Sequence, residues 1–251
     1  MSLAPALAII LARAGSKGVR GKNTALVAGR PCIEWTIEAA LNATTVSRTL
    51  VSSDDSHALA IAARMGATPA PRPAHLADDT ARVDDAARHA AASLDLAPDT
   101  PIVILYANVP VRPAGLIDHA VSLLRDARAD SVQSYAPVGK HHPWWTARLD
   151  PSGSVSPWEG NVLNRGVFRR QDLPPAFVPD GGVLVVTRAA LFLQVPDVPE
   201  GPHAFFGADR RGVTTAEGDV VDIDASIDLI VADAVLRGRH ATAEARPHGA
   251  R

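Results

Sequence analysis

Between positions 13 and 22 the chain places four cations, Arg13, Lys17, Arg20 and Lys22, among glycines at 15, 18 and 21. Glycine has no Cβ, so such a loop can turn sharply and bring backbone N–H groups close to a ligand. N–H donors and mobile cations together share the charge of several phosphate oxygens, which suits a triphosphate better than a neutral metabolite. Near the other end, Asp222 and Asp224 alternate with Val221 and Ile223. In an extended chain the two carboxylates face one way and the two apolar side chains the other. A carboxylate pair so placed can share a hard cation such as Mg2+, which takes one or two protein carboxylates and completes its shell with phosphate and water. The same residues also read as the start of a helix, with Asp224 or Ser226 as its cap.

The cationic loop matches neither familiar phosphate motif. In the P-loop pattern, Gly21-Lys22 would require glycine where Ser16 stands and a hydroxyl residue where Asn23 stands. The dinucleotide fingerprint requires Gly-x-Gly-x-x-Gly, whereas these glycines recur every third residue. From spacing alone, a glycine-rich turn with solvated charges remains the other reading.

These groups need elements to position them. Residues 6–11 are an apolar run of the kind found in a central strand covered on both faces. Helices are predicted over 31–42, 56–65, 83–94, 114–126 and 227–237, with Asp54 and Asp55 opening the second and Gly66 closing it. Strands are predicted over 48–53, 101–106, 131–138 and 181–187, with 220–224 as the last. The alternation of strand and helix predicts a parallel sheet with helices on both faces, and ligands at the carboxyl ends of its strands. Residues 69–73 hold three prolines and read as a loop, and Asp78 to Thr80 as a cap or turn. Residues 146–179 look irregular, and beyond 237 no apolar periodicity continues, which predicts disorder. Trp144 and Trp145 suit a stacking platform or a buried or interface role equally.

Composition narrows the classes. A chain of 251 residues suits one large domain or two small ones, with room for a substantial core. Aromatics are only 4%, so that core must consist of Ala, Val, Leu and Ile. The net charge of -2 gives no case for nucleic acid or an anionic membrane surface; the cations are local. Cys32 is the only cysteine, which rules out an intrachain disulfide and a thiolate metal site. No apolar stretch is long enough for a membrane span and the first one lacks a basic flank, so a cytoplasmic protein is expected.

The order Leu11-Ala12-Arg13-Ala14-Gly15-Ser16-Lys17-Gly18, followed by Gly21-Lys22-Asn23, resembles the opening signature of the acylneuraminate cytidylyltransferases. These are the CMP-sialic acid synthetases and their relatives for other 2-keto-3-deoxy sugar acids. Arg72-Pro73-x-x-Leu76-Ala77-x-Asp79-Thr80 is similar to the second motif of that family. Pro110 and Arg112 keep their places in a third, and Val221-Asp222-Ile223-Asp224 with Asp228 is similar to the closing one. Arg169-Arg170-Gln171-Asp172-Leu173-Pro174 before Asp180-Gly181-Gly182 resembles the motif of a segment that packs on a second subunit.

The resemblance implies a three-layer, Rossmann-like α/β nucleotide-diphospho-sugar transferase fold with a mostly parallel central sheet. It implies one domain over 1–238, with 139–180 projecting for dimerisation and substrate binding, and a disordered tail over 239–251. It implies transfer of CMP from CTP to the anomeric hydroxyl of a sialic-acid-like sugar acid, with release of pyrophosphate, by a Mg2+-dependent homodimer. Arg13, Ser16, Lys17, Asn23 and Arg72 would contact the nucleotide, with Lys22 nearest the reacting phosphate. Asp222 and Asp224 would be catalytic and hold the metal, while Asn108, Arg170 and Gln171 would meet the sugar acid. Tyr106, Val178 and Asp180 depart from the family pattern and point to an acceptor other than sialic acid. A nucleotidyltransferase for a different sugar acid or a sugar phosphate, or a nucleotide-binding homologue without catalysis, is the alternative.

Overall fold

The first apolar run forms strand β1, Ala6–Leu11, with all six residues buried, in a computed structural model that describes residues 4–15 and 18–244. β2, Val46–Ser53, lies parallel to β1 on one side. β3, Thr68–Pro71, extends that side as an edge strand parallel to β2. On the other side β4, Pro101–Tyr106, is again parallel to β1. Beyond β4 come β5, Ser131–Pro137, and β6, Phe177–Thr187, with β6 inserted between β4 and β5 and antiparallel to both. β7, Arg210–Thr214, closes the far edge parallel to β5, so the sheet runs β7-β5-β6-β4-β1-β2-β3.

The alternation along β1 builds two cores. Ala6, Ala8 and Ile10 pack with residues of α1 (Cys32–Leu41), α2 (Ser56–Met65) and α4 (Leu116–Ala127). Leu7, Ile9 and Leu11 pack with alanines of α3 (Val83–Ala91) and Leu191 of the short α5 (Arg188–Leu191). Small side chains on the helices let them lie close to the sheet, which is how a chain poor in aromatics fills three layers. A third cluster joins α6, Ser226–Glu244, to Val111, Val221 and Ile223.

Four sequence expectations are corrected. Residues 68–71 form a strand, not a loop; its prolines are tolerated because β3 is at the sheet edge. Residues 220–224 are extended but belong to no ladder of the sheet, holding one isolated bridge between Val111 and Val221. The last strand is instead β7, and β6 starts at Phe177 with a register break between Pro179 and Leu184. The final helix continues past Arg237 to Glu244, through the start of the expected tail, and residues 245–251 lie outside the described residues. Residues 146–179 are organised by their own contacts. Ala147–Leu149 pairs with Val155–Pro157 as a hairpin, and the Trp145 indole N–H donates to the Val167 carbonyl at 3.0 Å. Trp144 stands edge-on to His142 and under the Arg165 guanidinium.

Candidate active site

The strand order reverses at β1, with β2 and β3 to one side and β4 to the other. Connections leaving β1 and β4 therefore diverge, and a crevice opens at their carboxyl ends. A cleft of about 430 Å3 lies there, lined by Arg13 beyond β1, Tyr106 and Asn108 at the end of β4, and Lys22, Asp222 and Asp224. Asn23 and Arg72 complete its wall. Seven residues singled out from the sequence thus meet in one place: Arg13, Lys22, Asn23, Arg72, Asn108, Asp222 and Asp224. Ser16 and Lys17 lie outside the described residues.

The loop after β1 is held by its own polar contacts. The Asn23 amide donates to the Arg13 carbonyl at 2.8 Å, tying the loop's return to its start. Arg13 reaches across to the Asp79 carboxylate at 2.9 Å and the Asp78 carbonyl at 3.0 Å. Asp78 itself makes a turn by accepting from Thr80, whereas the N-cap of α3 is Arg82 and has no side-chain cap. Gly21 takes a left-handed φ, at 65°. Gly18 is required for another reason: a Cβ there would lie 2.1 Å from the Asp224 carbonyl oxygen, because the loop crosses directly over the acidic segment.

That segment keeps the alternation its sequence predicts. Val221 and Ile223 are buried in the third core cluster, while Asp222 and Asp224 face the cleft. Its backbone is registered on the turn after β4, with Val221 N–H donating to the Val111 carbonyl at 3.3 Å and Ile223 N–H to the Asn108 carbonyl at 2.9 Å. The Asn108 amide donates to the Asp222 carboxylate and, at 3.2 Å, to the Ile223 carbonyl. Asn108, predicted to meet substrate, thus borders the cleft with its amide directed to Asp222.

Asp228, in the first turn of α6, accepts the N–H groups of Asp224 and Ala225 at 2.9 and 2.7 Å. This is one arm of a capping box, and it releases the Asp224 side chain, which takes the Lys22 ammonium at 2.7 Å.

Electrostatics mark Asp222. Burial, then the neighbouring Asp224 charge, pushes its pKa up to about 6, against the pull of Lys22 and Arg112. Two carboxylates crowded in a partly dry cleft favour a cation between them, and an all-oxygen donor pair fits a hard one. No cluster of three or more His, Cys, Asp or Glu that could hold a metal occurs among the described residues. The two aspartates would therefore need further oxygen ligands from a phosphate or water.

Arg72 is buried against β2, donating to the Ser52 hydroxyl at 3.1 Å and the Ser52 carbonyl at 2.7 Å. Burial, with Arg13 nearby, holds its pKa below the ordinary arginine value. Arg170 and Gln171 do not reach the cleft. Arg170 pairs with Glu217 at 2.7 Å and borders a separate hollow with His142 and Phe177. Tyr106 stands inside the cleft wall, and burial followed by the Asp222 charge raises its phenol pKa.

Sequence reasoning assigned no role to Arg112, whose guanidinium is buried under the turn that carries Asn108. The available signal was a cation between prolines 110 and 113 at the end of an apolar run.

Cations and carboxylates lining one cleft suit a triphosphate and an incoming hydroxyl. The family model described as cytidylyltransferase matches residues 7–149. The chain is 28% identical over 244 residues to a CMP-N,N'-diacetyllegionaminic acid synthase of Legionella pneumophila, covering 92% of this chain and 95% of that protein. It is 26% identical over 226 residues to an N-acylneuraminate cytidylyltransferase of Streptococcus agalactiae, covering 89% of this chain and 51% of that one. It therefore spans about half the length of that second relative. Among solved structures, CMP:2-keto-3-deoxy-manno-octonic acid synthetase complexed with CTP superposes with a TM-score of 0.69 at 16% identity, covering 94% of this chain and 100% of the other. That likeness shows the fold alone, a Rossmann-like, mostly parallel sheet between helices.

Proposed function

This chain belongs to the cytidylyltransferase family, a family of nucleotidyltransferases, and on that premise we propose that it transfers CMP from CTP to the anomeric hydroxyl of a 2-keto-3-deoxy sugar acid, releasing pyrophosphate. The observation that carries this reading is the pairing of Lys22 with Asp224, 202 residues apart, across the cleft at the ends of β1 and β4. Support for the acceptor class comes from the relatives, whose names specify legionaminic and N-acylneuraminic acids.

The chief barrier is charge, since an anionic sugar must approach an anionic triphosphate. Asp222 and Asp224 would hold Mg2+, which supplies positive charge to the phosphates when bound. Arg13, Lys17 and Lys22 steady the β and γ phosphates and the departing pyrophosphate, while Ser16, Asn23 and Arg72 orient the nucleoside. The anomeric oxygen forms a bond to the α-phosphorus, and the bond from that phosphorus to the bridging oxygen breaks, its electron pair leaving with pyrophosphate. The hydroxyl proton passes to one of these two aspartate carboxylates.

We propose that the sugar half of the site is completed by a second copy of the chain. The segment over 139–180 exposes Phe168 at 84%, Leu149 at 71%, Val162 at 56% and Trp158 at 54%, an apolar surface suited to a partner. In that homodimer Arg170 and Gln171, remote from their own cleft, serve the sugar carboxylate. The test is pyrophosphate release with Mg2+ and each of CTP, UTP, ATP and GTP against sialic, legionaminic, pseudaminic and deoxy-octulosonic acids. Release with CTP and one of these acids is expected. Release only with another nucleotide, or with none of these acids, would overturn the assignment.

A further inference from the structure

Arg112 is a guanidinium buried beneath the cleft floor, with no hydrogen bond or ion pair to a carboxylate among the described residues. Its donors go instead to neutral oxygens from three elements. Nε donates to the Gly182 carbonyl of β6 at 2.7 Å, Nη1 to the Thr36 hydroxyl of α1 at 2.9 Å and to the Val109 carbonyl, and Nη2 to the Tyr106 carbonyl at 3.1 Å. Thr36, itself fully buried, donates to the Val109 and Tyr106 carbonyls, which Arg112 also grips. A buried charge without an anionic partner is costly, and here four of the five N–H donors are used.

What the guanidinium holds is the turn over 106–112. That turn is the template of the acidic segment: it accepts the Val221 and Ile223 N–H groups and carries the Asn108 amide onto Asp222. The Arg112 carbonyl also receives the Arg239 guanidinium from α6 at 2.8 Å.

We propose that Arg112, supported by Thr36, is a positioning residue that fixes Asp222 in the cleft by holding the turn on which residues 221–223 are registered. The consequence for turnover rests on the proposed CMP transfer; the consequence for the segment's order does not. Misplacing a reacting group by about 1 Å can cost about a hundredfold in rate.

The test uses the full chain with Thr36→Val, which keeps the cation, and Arg112→Lys, which keeps the charge but loses the fork. Amide hydrogen exchange without substrate is read residue by residue beside kcat, acceptor KM and the Kd for CTP. In both variants the Val221 and Ile223 amides should exchange at least about tenfold faster while those of β1 and β4 keep their protection. Turnover should fall by about 10- to 100-fold, with the Kd for CTP changed by less than about threefold. Unchanged exchange at Val221 and Ile223 in a folded variant would overturn the proposal, as would faster exchange throughout β1 and β4. If Arg112→Lys does not fold, Thr36→Val alone decides. A wild-type protein that releases no pyrophosphate refutes the functional reading and leaves the exchange result standing.

Discussion

The pairing of Lys22 with Asp224 is the residue-scale centre of this account. Lys22→Ala and Asp224→Asn should each lower turnover by about two or more orders of magnitude, with the thermal unfolding midpoint nearly unchanged, since Asp224 is exposed and an exposed ion pair contributes little stability. Near-normal turnover in either variant would remove that residue from the mechanism. Gly18→Ala should be as damaging for a steric reason: the added methyl would meet the Asp224 carbonyl at 2.1 Å, so the loop must lift off the acidic segment. Wild-type kcat and KM for CTP in the Gly18→Ala variant would contradict that contact. The period-two facing of Asp222 and Asp224 was legible because it is a local property of an extended chain. The partner of Asn108 was not, because the amide and Asp222 are 114 residues apart and are brought together by tertiary packing around the third core cluster. Arg170 carried the chemistry of a carboxylate fork in sequence, but its neighbour Glu217 comes from a distant turn that no spacing rule reveals.

At the scale of elements, helix α3 shows how a cleft wall is secured without a cap. Asp84 is buried in its first turn and accepts from Arg82 at 3.0 and 2.8 Å and from Arg88 at 2.8 Å. Burial pushes the carboxyl pKa up, but the bonds and charges of the two arginines outweigh it and leave the pKa below the ordinary value. A depressed folded-state pKa means stabilisation present above the unfolded carboxylate pKa of about 3.9 and lost as pH falls through the lower folded value. Asp84→Asn should therefore cost about 1–3 kcal/mol in urea unfolding at pH 7, a difference that shrinks as pH drops below about 4. A difference independent of pH would show that shape, not charge, matters there. The central strands and main helices were readable because burial on both faces leaves long apolar runs. β7 was not, since it lies at the sheet edge and buries only Val213 of its five residues. The stretch at 220–224 misled in the opposite way: its apolar residues are buried against a turn and a helix, not in a ladder of the sheet.

For the whole molecule, the described sheet and helices were foreseeable from alternation of strand and helix, yet the insertion of antiparallel β6 between β4 and β5 was not, because pairing order leaves no local trace. The surface over 139–180, which the family resemblance implies is a dimerisation segment, exposes Phe168 with no covering partner within the fold's three core clusters. Sedimentation velocity should show a dimer, and Phe168→Asp should shift it towards monomer and raise the KM for the acid more than that for CTP. A wild-type monomer with full activity would contradict that assembly. The central claim is that the cleft directs attack on CTP at the α-phosphorus, and the most direct measurement follows the label from CTP carrying 32P at the α or the γ position, with Mg2+ and the accepted sugar acid. The account predicts that α label moves into the sugar product and γ label into pyrophosphate, and that Lys22→Ala slows both together. Label from the γ position in the sugar, or release of inorganic phosphate in place of pyrophosphate, would contradict it.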